Sequence, residues 1–182
     1  MKENNHFADL SGVRNNTIQS EKERLDGIRK IARERHKLLF TYYNPLITNV
    51  LRELDEAMGW NAGFTNHIEQ EQLTDPVDHA DSARWALQWE LKNSKSGGID
   101  HYEVRVGWSC FYVPAGYNNG IDESSISVAY DYHPNYATSK DFREEFIMKE
   151  GVEFHQQNHE NLVKALRSVV QNGEAYVGKA LK

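Results

Sequence analysis

A chain of 182 residues fits one domain that buries roughly 70% of its unfolded surface; 26% of its residues are charged, 39% are hydrophobic, and the mean hydropathy is -0.73. No run of eighteen apolar residues exists, and the single cysteine, Cys110, has no internal partner, which excludes a spanning helix and a disulfide framework. The expectation is a cytoplasmic globular protein with no membrane partner.

Residues 1–20 are rich in Asn and lack an apolar core, so they read as a flexible arm and not as a signal peptide. Residues 21–182 form the expected single α+β domain. From Glu21 to Tyr43, Leu25, Ile28, Ile31, Leu38 and Tyr42 recur at helical spacing. Asn44-Pro45 follows, an N-cap residue and a residue favoured in the first helical turn. A second stripe of Leu46, Ile47, Val50, Leu51, Leu54 and Met58 ends at Gly59, a suitable C-cap. The spacing predicts two helices, or one helix kinked at Pro45.

Trp60 to Ser82 lacks clean periodicity and reads as a long connection, with a short helix around 66–73. Three strands are predicted next: Trp85–Leu91, Tyr102–Val113 and Ile126–His133. In each, apolar and polar residues alternate, which places one set on each face of a pleated sheet. Gly97-Gly98 marks the first turn and Asn118-Asn119-Gly120 the second. Thr138, Ser139 and Asp141 can cap a helix carrying Phe142, Phe146 and Ile147, and a last stripe runs from Leu162 to Val170. The predicted order is α-α-βββ-α-α, a two-layer fold with helices on the aromatic face of a three-stranded antiparallel meander.

Charge is segregated along the chain. Residues 1–50 carry a net +3 and residues 51–82 a net -7. Arg29, Lys30, Arg33 and Lys37 crowd one helical segment. A solvated helix face accounts for such a cluster; a contact for an acidic partner, or for the acidic block of a second copy, is the functional reading.

Candidates for chemistry are few. Glu90 and Lys92 lie two residues apart on a predicted strand, so they point the same way, and Asp75, Asp78 and Asp81 lie just upstream. Carboxylates that hold Mg²⁺, beside an amine, serve phosphodiester hydrolysis. The stretch from Asp75 to Lys92 resembles the catalytic segment of PD-(D/E)XK nucleases, in which an Asp precedes an E-x-K strand. That resemblance implies Asp78 or Asp81 and Glu90 as Mg²⁺ ligands, Lys92 as the catalytic amine, and nucleic acid as substrate. The chain departs from the pattern by running from the E-x-K strand through a Gly-rich turn into another strand. Ordinary polar residues on a solvated sheet face explain Glu90 and Lys92 as well.

His155 and His159 have the i, i+4 spacing of metal ligands, but Gln156 stands where an H-E-x-x-H motif needs Glu. A solvated helix face explains them. Phe111 falls on the polar face of its strand and Tyr117 near the strand end; aromatic residues so placed mark an interface core or a local packing role. The functional expectation is a non-catalytic interaction protein, self-associating or bound to a protein partner, with no cofactor. The alternative is the Mg²⁺-dependent nuclease.

Overall fold

The computed structural model describes residues 8–69, 80–93, 95–111, 124–135, 138–149 and 152–180. The chain enters through α1 (Ala8–Leu38), a 31-residue helix that extends across the boundary expected at residue 20. A π-helical turn, Leu39–Tyr43, joins it to α2 (Asn44–Met58). Pro45 sits in the first turn of α2, where its missing N–H costs nothing. Gly59 ends the helix with a left-handed φ of 67° and a 2.8 Å bond from its N–H to the Asp55 carbonyl.

Asn44 is not the cap its position suggests. The cap residue is Tyr43, in helical conformation and without a side-chain capping bond. Asn44 Oδ1 instead accepts hydrogen bonds of 2.8 Å from Trp85 Nε1 and from Asn66 Nδ2. It thereby satisfies a buried indole and ties α2 to the sheet.

Among the described residues five strands follow: β1 (Gly63–Glu69), β2 (Ala80–Lys92), β3 (Ile99–Phe111), β4 (Ser124–His133) and β5 (Lys140–Met148). They pair antiparallel in chain order, β1-β2-β3-β4-β5. The three expected strands are the central ones, and two corrections widen the sheet. β1 lies within the stretch read as a connection with a short helix. β5 occupies the segment read as a capped helix, so a single helix, α3 (His155–Ala180), follows the sheet after a 3-10 turn at Val152–Phe154. Phe142 and Phe146 satisfy a helical spacing of four and, equally, one face of a strand. Pairing settles the ambiguity, because β4 already has its inner face formed and offers Tyr130 and Ile126 as their partners.

The inner face carries the core. Register sets Trp85 against Val106 and Val106 against Val128, while Trp89, Tyr102 and Tyr132 form another row. Trp89 and Trp108 are both buried on that face. α2 packs on β2, and α3 packs on β4 and β5. Ile47, Leu51, Leu162 and Leu166 are fully buried, each contributing about 2 kcal/mol of transfer free energy. Leu46 and Leu54 are partly buried at the margin of the cluster.

Polar staples hold the helical layer. Tyr42 stacks on the His155 ring at 3.5 Å between centroids and donates to the His155 carbonyl at 2.9 Å. Asn158, fully buried, brackets the Lys149 backbone by donating to its carbonyl at 2.8 Å and accepting from its N–H at 3.2 Å. His155 therefore serves packing, while His159 is exposed. No described helix is long and apolar enough to cross a membrane.

Candidate functional site

The sheet's outer face is polar, and register orders its side chains into rows. One row runs Gln88, Glu103, Asp131 across β2, β3 and β4; the next runs Glu90, His101, His133. Glu103 accepts from Arg84 Nη2 and, at 2.6 Å, from Gln88 Nε2. Arg105 Nη1 lies 3.7 Å from Glu103 and 2.8 Å from Asp131 Oδ2. That last contact is an ion pair without hydrogen-bond geometry, since Asp131 Oδ2 has no hydrogen-bond donor among the described residues. Burial therefore dominates the titration of Asp131 and pushes its carboxyl above the ordinary range, against the opposing pull of Arg105.

In the next row, His101 Nδ1 is 2.9 Å from Glu90 Oε1 and His133 Nδ1 is 2.7 Å from Ser139 Oγ. Gln88, Glu90, His101, Glu103 and His133 border a recess of about 420 Å³. Among the described residues no three His, Cys, Asp or Glu side chains are placed to hold a metal ion. The histidines of this row are far apart in sequence; only cross-strand register brings them together, and a search for ligand spacing along the chain passes over them.

The structure sorts the residues singled out by sequence. Glu90 and Lys92 are exposed at one end of β2. Asp81 belongs to the same continuous strand, nine residues before Glu90. At about 3.3 Å per residue the two backbones are roughly 30 Å apart, and odd spacing sets the positions on opposite faces. The structure does not bring Asp81 to Glu90. Asp78 and Tyr117 lie outside the described residues, and Phe111 is the last residue of β3 with its side chain outside them. Arg29, Lys30, Arg33 and Lys37 all lie on α1; Lys30 and Lys37 are exposed, and the side chains of Arg29 and Arg33 are outside the described part.

α1 is the second candidate surface. Its extensive contacts, among the described residues, are with the adjoining π-helical turn alone. Its 31 residues span roughly 46 Å at 1.5 Å per residue. Every residue from Gly12 to Glu23 is exposed, and Val13 and Ile18 present 63% and 56% of their surface to solvent. Compared with protein-family models, with curated proteins and with solved structures, the chain has no match in any of the three.

Proposed function

We propose that this is a non-catalytic interaction protein that self-associates through α1. One observation carries the reading: a long helix holds exposed Val13 and Ile18, and its extensive contacts among the described residues are with the adjoining turn alone. Helices in water draw most of their stability from burying an apolar face. α1 also contains Gly12 and Gly27, with nothing within 4 Å of where a Cβ would stand. Each such glycine costs about 1 kcal/mol relative to alanine, so α1 is weak by propensity and gains from a partner. The basic cluster from Arg29 to Lys37 favours a partner with acidic stretches, which α1 itself supplies at Glu21 and Glu23.

Light scattering at low and high salt tests the reading. A dimer that loosens with salt and is abolished by Ile18→Lys is expected. A strict monomer at both salts would refute it. The nuclease alternative has no observation behind it: Asp78 lies outside the described residues and Asp81 is nine residues from Glu90 along one strand; Mg²⁺-dependent cleavage of DNA that Glu90→Ala abolishes would favour it.

A further inference from the structure

We infer that His101 and His133 together bind a divalent transition-metal ion of the Zn²⁺ class, through the Nε2 atoms of both rings. The inference goes beyond the self-association reading and is independent of it, since it uses the sheet and not α1. The two residues are directly opposed in the β3–β4 register, which sets their Cβ atoms roughly 5 Å apart on one face. That separation suits two imidazoles converging on a single ion. Both side chains are exposed and border the recess of about 420 Å³, so an ion reaches them from solvent.

The surroundings of the rings single out Nε2. His101 Nδ1 faces Glu90 Oε1 at 2.9 Å, and His133 Nδ1 faces Ser139 Oγ at 2.7 Å. Neither Nε2 has a partner among the described residues. An imidazole that binds a metal through Nε2 keeps its proton on Nδ1. Here each Nδ1 already has beside it an oxygen able to accept from that proton. Outer oxygens of this kind fix the orientation of a ligating ring and raise its basicity. Imidazole nitrogen suits Zn²⁺, Cu²⁺ and Ni²⁺, whereas Mg²⁺ and Ca²⁺ take oxygen ligands. The nearby carboxylates are otherwise engaged, Glu103 by Arg84 and Gln88 and Glu90 by His101. The site therefore has two protein ligands, in keeping with the lack of any three-residue set among the described residues. Water completes the coordination. His155 and His159, the pair with ligand spacing along the chain, differ in that the His155 ring is stacked on Tyr42.

Isothermal titration of the untagged full chain with Zn²⁺ tests the site. His101→Gln and His133→Gln should each weaken binding by more than the roughly tenfold expected of Glu90→Ala, which removes only an outer partner. His159→Gln should leave the affinity unchanged. All four variants alter exposed side chains, and far-UV circular dichroism checks that they fold. Nitrogen-resolved NMR of the histidine rings should show Zn²⁺ moving the Nε2 signals of His101 and His133 while both Nδ1 atoms stay protonated. Zn²⁺ that leaves these two rings unmoved, or that binds the His101→Gln chain as tightly as the original, would overturn the site. So would binding that His159→Gln removes. Attachment through Nδ1 would overturn the outer roles of Glu90 and Ser139.

Discussion

Asp100 and Asp131 are both almost completely buried, 1% and 4% exposed, and they titrate in opposite directions. Asp100 sits at the β2–β3 turn, where three donors converge. Asn93 Nδ2 reaches it at 2.8 Å, the Tyr132 hydroxyl at 2.9 Å and the Asn135 N–H at 3.0 Å. Burial alone raises a carboxyl pKa, but these hydrogen bonds to the ionised form outweigh it and hold Asp100 below its ordinary value. Asp131 has a nearby guanidinium and no donor in line, so burial wins there. Proximity of charge is thus a poorer solvent for a carboxylate than directed N–H and O–H groups. The same contrast separates the two faces of the sheet: one is packed and specified in direction, the other is a network of long side chains that can adjust.

The inner face should show the largest loss. A Cβ on Gly173 of α3 would stand 2.3 to 2.6 Å from three atoms of the buried Tyr130 ring. Gly173→Ala is expected to cost about 3 kcal/mol in urea unfolding. On the outer face, a Cβ on Gly107 would approach the Ser127 hydroxyl at 2.7 Å, and that oxygen can rotate away. Gly107→Ala should therefore cost less than about 1 kcal/mol. Equal losses at the two glycines would erase the distinction between faces.

The two acids come next in size. Asp100→Ala leaves the buried Tyr132 hydroxyl and two half-buried donors without an acceptor and should cost about 2 kcal/mol. Tyr132→Phe removes a single arm of that cradle and should cost about 1 kcal/mol. Asp131→Asn should stay within about 1 kcal/mol of zero, because Arg105 is partly exposed and keeps Glu103 nearby. A loss at Asp131 as large as that at Asp100 would mean that the ion pair, and not the hydrogen-bond cradle, stabilises the sheet.

The smallest effect is in pH. Asp100 has a folded pKa below the ordinary 3.8, so its stabilisation is complete above that value and is lost as pH falls through the folded pKa. Asp131 is raised from 3.8, so the fold loses stability as pH rises from 3.8 through the raised value. Asp100→Ala should flatten the acid limb of the stability curve. Asp131→Asn should gain on the original chain as pH rises through that window. A gain in the reverse sense would show Arg105 to outweigh burial.

Tyr102 sits between these sites, stacked on Trp89 at 5.3 Å and tilted against Tyr132 at 5.1 Å. Burial, with the charges of Asp100 and Glu174 behind it, pushes its hydroxyl pKa up to about 12. The aromatic row from Trp60 through Trp89, Tyr102 and Tyr132 to Tyr176 is continuous. Three of its members were legible as alternating strand residues. Trp60 and Tyr176 were not, because they join the row from the end of α2 and from α3, and no local pattern ties them to it.

Local pattern alone determined the three central strands, the Gly59 cap, the Gly97 turn and the shared face of Trp89 and Trp108. In each, the deciding physics acts within a few residues: side-chain alternation, or a positive φ that glycine tolerates. Only tertiary structure decided the two edge strands, the place of Asn44 and the rows of the outer face. Residues such as Phe142 and Phe146 suit a helix and a strand alike until a neighbouring strand offers hydrogen bonds. Asn44 can cap a helix until a buried indole needs its oxygen. Glu90, His101 and His133 lie far apart along the chain, and meet because antiparallel pairing sets residues side by side that sequence keeps eleven and thirty-two apart.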